Sequence, residues 1–506
     1  MEIPDLVVNA ATRFPQRAAV LEGERRLTFG EVDDRAARLA QAFADHGLRF
    51  GDRVAILAEN ELEYLEIQVA AQRAGVVPVP LNFRLAVPEL AYIIEDCRPA
   101  LLIHGPGYAE TAAALDVPSV WHLGHDGVGD PYDQALASAE PQARRPLRHD
   151  AAACVLYTSG TTGRPKGAII SNGALWARVN LFGLEVGMQP GQVFVQALPM
   201  FHIAAHVTYA FTYRGATSVL LRSFEPAATL RLLEEHAASH VLLVPTMINL
   251  LTLDEAVERT DLRALQMVLY GASPISPEVL RRAMETLRCE FLQFYGMTET
   301  AGSSLLRSAD HDPDGHPERL ASAGTDSVSF ETRIVDADDQ PVASGEVGEI
   351  LSRGPAMMDG YWNAPAATET ALAGGWMHTG DLGYRSPDGY LYVTDRLKDM
   401  IVSGGENVYP REVEDVLYEH DEVLEAAVIG VPSQRWGEAV HALVVAKPGT
   451  SPQVEALLDH CRQRLAAYKV PKDVELVDEL PKNATGKILK RVVRDRYWQR
   501  QDRQVG

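Results

Sequence analysis

The sequence contains little cysteine and no long hydrophobic run. Four cysteines occur among 506 residues, and their spacing fits no CxxC metal motif. They are too few to cross-link a chain of this length, so we interpret them as reduced thiols of a cytoplasmic protein. No apolar run reaches the roughly 18 residues that a membrane helix needs. The N-terminus also lacks the basic start and apolar core of a signal peptide. We therefore expect a cytoplasmic protein without a membrane span.

Positive charge is also scarce. The chain has 47 Lys and Arg against 69 Asp and Glu, a net charge of −22. Proteins that bind nucleic acid electrostatically carry a basic surface, so we expect no nucleic-acid partner. The overall sign does not exclude local basic pockets for phosphate groups.

Strands and helices alternate along the first part of the chain. Thr28 and Glu31 have the spacing of a capping box and predict a helix to about His46. The apolar run Arg53–Leu57 predicts a strand, and Glu61–Ala74 predicts the next helix. The same alternation returns between residues 218 and 270. This pattern predicts an α/β fold in which layered subdomains contain mostly parallel sheets.

The pattern changes near Asp395. Before it, short β-like pieces separated by turns predict a small β-rich subdomain from Phe330 to Val393. After it, two helices and two strands predict a small α+β domain. We therefore predict an N-terminal domain over residues 1–396 and a C-terminal domain over residues 397–506. The predicted elements after Asp395 are helix Pro410–Glu419, strands Glu425–Val431 and Ala439–Ala446, and helix Pro452–Ala466.

The segment Val155–Gly167 is the strongest local signal for chemistry. A hydrophobic strand enters a loop of glycine and hydroxyl residues that ends at Lys166. Glycines let backbone N–H groups approach a polyphosphate, hydroxyls add donors and the lysine adds charge. The loop differs from the usual NTPase phosphate loop, because Pro165 occupies the second glycine position and Gly167 follows the lysine. A plain turn between strands is the alternative, but the density of these residues favours phosphate binding.

This loop resembles the signature of the adenylate-forming superfamily, which includes acyl-CoA synthetases, adenylation domains of peptide synthetases and luciferases. Further segments match motifs of that family in the same order, so the resemblance covers nearly the whole chain. They are Tyr295–Thr300, Trp376–Gly383, Asp395–Asp399, Ser403–Pro410 and Pro481–Lys487. The resemblance implies that the small C-terminal domain is mobile, with a hinge at Lys398.

The resemblance implies a reaction in two steps. A small carboxylic acid attacks ATP in the presence of Mg²⁺ and forms an acyl-adenylate, and coenzyme A then displaces AMP. Thr298 would bind the α-phosphate, Glu299 would ligate Mg²⁺, and Lys487 would bridge the acid and the α-phosphate. The β- and γ-phosphates would be held by Thr158, Ser159, Gly160, Thr161, Thr162, Gly163 and Lys166.

The resemblance also implies the residues for adenosine and coenzyme A. Asp381 would accept hydrogen bonds from the ribose hydroxyls, with Arg396 beside it. The adenine and coenzyme A contacts would come from Gly271, Ala272, Ser273, Tyr295, Gly296, Met297, Gly405, Glu406 and Asn407. A carrier protein or an amine as acceptor stays open, as does a nucleotide-binding protein without catalysis, although Glu299 and Lys487 argue against the latter. We expect a monomer or a homodimer.

The acid and the histidines complete the prediction. By resemblance, His202 lies at the mouth of the acyl pocket, whereas the role of His206 stays open. His236 and His240 are four residues apart but lack a third ligand, which favours packing over zinc binding. Malonyl-CoA synthetases carry an arginine where this chain has Phe294, and a buried second carboxylate without a partner is costly. A medium-chain fatty acid and an aryl acid both fit, and a dicarboxylate does not. The pocket residues implied are Ala204, Ala205, Thr208, Phe294, Gly296, Ala301 and Gly302.

Overall fold

The computed structural model describes most of the chain. It covers residues 2–124, 127–143, 146–158, 165–396, 399–403, 406–433, 435–482 and 488–498. Its strands and helices alternate as predicted, and most strands of the nine-stranded sheet and all strands of one five-stranded sheet are parallel. The α/β fold class is therefore confirmed.

The largest sheet has nine strands. Its six consecutive strands from Glu290–Tyr295 to Ala18–Glu22 run parallel, and the strands at both edges are antiparallel. Strands covered on both faces are apolar along their length, and His240–Leu243 is buried at every residue. In spatial order the strands are Thr325–Asp326, Ser304–Leu306, Glu290–Tyr295, Met267–Gly271, His240–Leu243, Val193–Gln196, Thr217–Leu220, Ala18–Glu22 and Arg25–Thr28.

A second sheet has five strands that all run parallel. One of them spans Arg53–Leu57, the same residues that the sequence predicts. The strands are, in spatial order, Val77–Pro80, Arg53–Leu57, Leu101–His104, Val120–His122 and Asp130–Pro131.

The helices begin within about two residues of their predicted starts. Helix Phe29–Asp45 starts with the predicted capping box, since the Thr28 hydroxyl accepts from the Glu31 N–H at 3.2 Å. In return, Glu31 Oε2 accepts from the Thr28 N–H at 2.7 Å. The other helices are Val8–Arg13, Glu63–Ala74, Val87–Cys97, Ala109–Ala113, Tyr132–Ser138, Asn172–Glu185, Ala204–Arg214, Pro226–Glu235, Pro245–Leu253, Pro277–Leu287, Pro365–Ala371, Pro410–Tyr418, Val454–Arg464 and Lys490–Trp498. Among the described residues, no helix combines the length and the apolar character that crossing a membrane requires.

Two smaller antiparallel sheets precede Asp395. A three-stranded sheet contains the hairpin that encloses the glycine-rich loop. A four-stranded sheet forms the β-rich part that the sequence predicts after Phe330. The strands of the first are Ala152–Thr158, Lys166–Ser171 and Gly360–Tyr361, and those of the second are Glu331–Val335, Gly348–Arg353, Met377–Arg385 and Leu391–Arg396. Separately, Glu2–Ile3 pairs with Leu147–Arg148.

The residues after Asp395 form a five-stranded sheet with its own core. Its strands are Glu406–Val408, Ile401–Ser403, Gly437–Ala446, Val423–Ser433 and Asp473–Leu476. Val413, Leu417 and Leu457 are buried between this sheet and two of its helices. Asp395 Oδ2 accepts from the backbone N–H of Arg411 at 3.0 Å. Lys398, the predicted hinge, lies outside the described residues, and the division at residues 396 and 397 stays a prediction.

Candidate active site

The glycine-rich loop connects the two strands of a hairpin. Thr158 and Lys166 are partners at the open end of that hairpin, so both ends of the predicted phosphate loop lie side by side. The Lys166 ammonium lies 5.3 Å from the centroid of the Tyr361 ring. The predicted residues Ser159, Gly160, Thr161, Thr162 and Gly163 lie outside the described part of the chain.

The central motif follows the carboxyl end of a parallel strand. Strand Glu290–Tyr295 pairs with Met267–Gly271, so Ala272 and Ser273 follow the same sheet edge as Gly296 and Met297. Ligands bind at this edge in open α/β sheets. A Cβ atom at Gly296 would overlap the carbonyl oxygen of Ala301, which explains the glycine. The predicted adenosine residues therefore follow neighbouring strand ends.

Two alanines near this edge have an unusual backbone conformation. Ala272 has a φ of +69° and Ala301 a φ of +63°, both in the left-handed region. Such conformations cost free energy in residues other than glycine and persist where the surroundings impose them. The turn from Met297 to Ala301 is closed by a hydrogen bond from the Ala301 N–H to the Met297 carbonyl at 2.8 Å. This closed turn presents Thr298 and Glu299.

Glu299 is almost fully buried, with 4% of its surface exposed. Its Oε1 atom accepts a hydrogen bond from the Tyr361 hydroxyl at 2.8 Å, and its carbonyl accepts from the Met358 N–H at 2.7 Å. Burial and the adjacent carboxylate raise the pKa of Tyr361, so this hydroxyl stays a donor at neutral pH. No hydrogen bond to the second carboxylate oxygen occurs among the described residues. Glu299, Tyr361 and Lys166 therefore form one polar group.

The resemblance implies Arg396 beside Asp381, and the structure shows these two residues in contact, with Tyr295 as a third member. Asp381 Oδ2 accepts from the Tyr295 hydroxyl at 2.9 Å, and Asp381 Oδ1 lies 3.0 Å from Arg396 Nε. Asp381 and Arg396 are partners on adjacent strands, which fixes their separation. Burial, followed by the charge of Asp381, raises the pKa of Tyr295 well above its usual value. The Tyr295 hydroxyl therefore orients Asp381, and stacking of its ring on adenine stays a prediction.

His202 and His206 have different surroundings. His202 is half-buried beside the Phe201 ring, and burial, with a smaller effect of Arg84, lowers its pKa to about 4. It is therefore neutral at physiological pH. His206 is fully buried, and its Nδ1 atom accepts from Arg178 Nη1 at 3.4 Å. His206 therefore belongs to the core, and the position of His202 at the pocket mouth stays a prediction.

The second histidine pair is consistent with packing. His240 is buried, and its Nδ1 atom lies 2.9 Å from the Ser239 hydroxyl. Within the described ranges, the one group of three possible metal ligands is Glu22, Glu61 and Glu63, without any histidine. Arg25 and Arg222 already pair with those carboxylates.

The side of the site predicted for the acid is apolar. The Phe294 ring packs edge-on against Phe182, with centroids 5.2 Å apart and planes at 84°. A Cβ atom at Gly302 would lie 3.0 Å from Phe294 Cδ1 and 3.8 Å from Phe182 Cε1, so Gly302 lies beside both rings. The Phe294 ring therefore packs against Phe182, and the absence of a side chain at Gly302 leaves room for it.

The predicted coenzyme A residues lie on the C-terminal sheet. Glu406 and Asn407 are exposed on the strand that pairs with Ile401–Ser403. Gly405 and Lys487 lie outside the described residues. Among the described residues, no hydrogen bond or ion pair joins Glu406 or Asn407 to Asp381 or Glu299, so their roles stay predictions.

Two residues near Glu299 were not predicted from the sequence. Tyr361 contacts its carboxylate, and Arg178 contacts the backbone of its turn. Neither belongs to a glycine-rich or charged motif. The sequence indicates neither contact, because the partners are distant along the chain.

Comparison with known proteins identifies the family. A family model described as AMP-binding enzyme matches residues 7–362, and one described as AMP-binding enzyme C-terminal domain matches residues 412–487. The first match covers more than half of the chain, which therefore belongs to the AMP-binding enzyme family. The resemblance to adenylate-forming enzymes is thus confirmed.

Three similar proteins differ in what their names say they do. A feruloyl-CoA synthase from an Amycolatopsis species is 41% identical over 493 residues, 97% of this chain and 98% of that protein. A fatty acid–[acyl-carrier-protein] ligase, ScoC, from Streptomyces coeruleorubidus is 36% identical and covers 96% of this chain and 95% of its own. The structure of the amide bond synthetase McbA from Marinactinospora thermotolerans superposes with a TM-score of 0.89 at 33% identity, covering 98% of this chain and 100% of McbA.

Proposed function

We propose that this chain activates an aromatic carboxylic acid of the cinnamate type and transfers it to coenzyme A. The chain is an AMP-forming acid–thiol ligase, an enzyme class that makes an acyl-adenylate from ATP and then a thioester. The observation that carries the choice of acid is the Phe294 ring, which packs edge-on against Phe182 beside Gly302. In the acid pocket implied by the resemblance, this ring would limit the pocket length. It would also give an aromatic acid a ring to stack on or to meet edge-on. The identity to a feruloyl-CoA synthase supports the same choice.

Asp381 and Arg396 would bind the ribose of ATP. The carboxylate of Asp381 is oriented by Tyr295 and Arg396, and its oxygens can accept hydrogen bonds from two neighbouring hydroxyls. Lys166 and Thr158 would bind phosphate oxygens from the open end of the hairpin. Positioning and charge stabilisation carry such a reaction, since negative charge grows on phosphate and carbonyl oxygens.

The Glu299 carboxylate fits Mg²⁺, a hard cation that prefers carboxylate and phosphate oxygens. One of its oxygens accepts from Tyr361, and the described residues offer no hydrogen bond to the other. When bound, the ion would neutralise phosphate charge. Tyr361 would hold the carboxylate in one orientation.

The test is a panel of acids with each acceptor. Pyrophosphate release and thioester formation should be measured with ferulate, 4-coumarate, benzoate, octanoate and dodecanoate. We expect kcat/KM for the cinnamates to exceed that for octanoate by about tenfold or more, the scale of one or two apolar contacts. A preference for octanoate or dodecanoate would contradict the choice of acid. Thioester formation on a carrier protein but not on coenzyme A would contradict the acceptor.

A further inference from the structure

Arg178 lies behind the turn that carries Thr298 and Glu299. It projects from helix Asn172–Glu185 and is fully buried, with 0% of its surface exposed. Its Nη2 atom donates to the Thr298 carbonyl at 3.0 Å and to the Glu299 carbonyl at 3.5 Å, and its Nε atom donates to the Ala356 carbonyl at 2.8 Å. One guanidinium thus connects two segments of backbone.

Among the described residues, no carboxylate lies within ion-pair distance of the buried Arg178 guanidinium, although the charges of Glu299 and Asp359 act on it from further away. A buried cation is costly unless it is paired or fully hydrogen-bonded. Burial lowers the pKa of Arg178 to about 10, so the guanidinium stays charged at neutral pH. A methionine would fill the same space without this cost. The carbonyl contacts of Arg178 therefore have a purpose beyond packing.

Arg178 also contacts the core beneath the acid and phosphate sides. Its Nη1 atom donates to His206 Nδ1 at 3.4 Å, which leaves the proton of the neutral ring on Nε2. That atom lies 3.9 Å from Cys154 Sγ, on the strand that leads to the phosphate loop. Burial keeps His206 neutral by lowering its pKa well below the usual value. Arg178 thus connects the Thr298–Glu299 turn, the backbone at Ala356 and the buried His206.

We propose that Arg178 is a positioning residue for acyl-adenylate formation, which it serves by fixing the backbone of the Thr298–Glu299 turn against the segment that carries Tyr361. This inference rests on the proposed function. Within that segment, the Met358 N–H donates to the Glu299 carbonyl at 2.7 Å. The backbone of the turn and the backbone of the segment are therefore linked directly. A shift of about 1 Å at this link can lower a rate by about 10²-fold.

The test compares R178M and R178K in the two half-reactions. R178M removes the charge and the guanidinium hydrogen bonds to the backbone carbonyls. It should lower kcat for acid-dependent pyrophosphate release by about 10²-fold. R178K keeps the charge but cannot reach three carbonyls, and should lose about tenfold. Thioester formation from a supplied acyl-adenylate should lose clearly less, because the β- and γ-phosphates and the Mg²⁺ that Glu299 would ligate take no part in that step, and only the α-phosphate contact of Thr298 remains. If R178M does not fold, R178K decides the outcome alone.

R73K is the matched control. Arg73 is a buried arginine that pairs with Asp5 and Asp33 away from the turn. It should lower the unfolding temperature without favouring either half-reaction. Equal losses in both half-reactions of R178K, or no loss, would overturn the proposal. If the wild-type enzyme releases no pyrophosphate with any acid, the proposed function is refuted. That outcome is distinguishable, because it appears in the wild type before any variant is compared.

Discussion

The nucleotide side and the acid side of the candidate site are built from different interactions. On the nucleotide side, Asp381 and Glu299 are each held by directed hydrogen bonds from a tyrosine. On the acid side, Phe294 is held by contacts with Phe182 and Gly302. Hydrogen bonds to charged groups are short and directional, whereas apolar contacts depend on shape and area. Substitutions on the first side should therefore reduce the rate, and those on the second should change which acid is used.

Glu299→Gln should have the largest effect. The amide keeps the shape of the side chain and can still accept from Tyr361, but it removes the negative charge. We expect acid-dependent pyrophosphate release to fall by about 10²–10³-fold, the scale of one preorganised electrostatic contact. The rate should be measured over a range of Mg²⁺ concentrations. Glu290→Gln, an exposed change at the start of the strand that leads to this turn, is the control. A near-wild-type rate for Glu299→Gln at every concentration would remove Glu299 from the site.

Asp381→Asn should have the next largest effect, mainly on ATP. The change breaks the ion pair with Arg396 while keeping the size of the side chain. Hydrogen bonds to a charged group contribute about 1.5–3 kcal/mol, so kcat/KM for ATP should fall by about 10–100-fold. Asp388→Asn, an exposed change in the turn of the same hairpin, is the control. Equal ATP kinetics in both variants would place the ribose elsewhere.

Phe294→Ala should alter acid preference and spare ATP binding. The change opens space beside Phe182 and Gly302, so longer acids should gain relative to cinnamates by about tenfold or more. Loss of a fully buried phenylalanine costs about 3–5 kcal/mol of stability, and the half-buried Phe294 should cost less. Phe294→Leu should be measured in parallel to separate stability from acid preference. Phe291→Leu, on the same strand but packed against Tyr270, is the control. An unchanged acid profile in both Phe294 variants would show that Phe294 does not contact the acid.

His240 lies on neither the nucleotide side nor the acid side, and its protonation should affect stability instead of activity. Burial lowers its pKa to about 4, whereas an unfolded histidine titrates near 6.5. The unfolded chain therefore binds the extra proton, and the free energy of unfolding should fall as the pH drops from 6.5 towards 4. His240→Gln should reduce this loss by at most about 3 kcal/mol and leave the rate at pH 7 unchanged.

Urea unfolding at pH 7 and pH 5 measures this effect. The control is His236→Gln, four residues earlier and partly exposed. The same pH dependence in wild type and His240→Gln would mean that His240 is not the titrating group.

Local patterns predicted most of the fold. The capping box at Thr28 and the strand Arg53–Leu57 agree with the structure because each depends on residues close in sequence. The helix predicted over Glu61–Ala74 begins at Glu63 instead. Its N-cap residue is Leu62, whose side chain makes no capping hydrogen bond, so no local motif marks the start. The contact of Arg396 with Asp381 is implied by the resemblance and not by any spacing, whereas the contact of Tyr295 with Asp381 comes from the structure alone.

By itself, the sequence determined the order of the motifs, the α/β class and the family, because hydrophobic periodicity, helix capping and motif spacing are properties of neighbouring residues. Only the tertiary structure decided that Tyr361 contacts Glu299 across 62 residues and that Arg178 contacts Thr298 across 120 residues. It also placed His206 in the core while leaving His202 half-buried. These partners come together through the packing of separate strands and helices, and the burial that shifts their pKa values arises from the same packing.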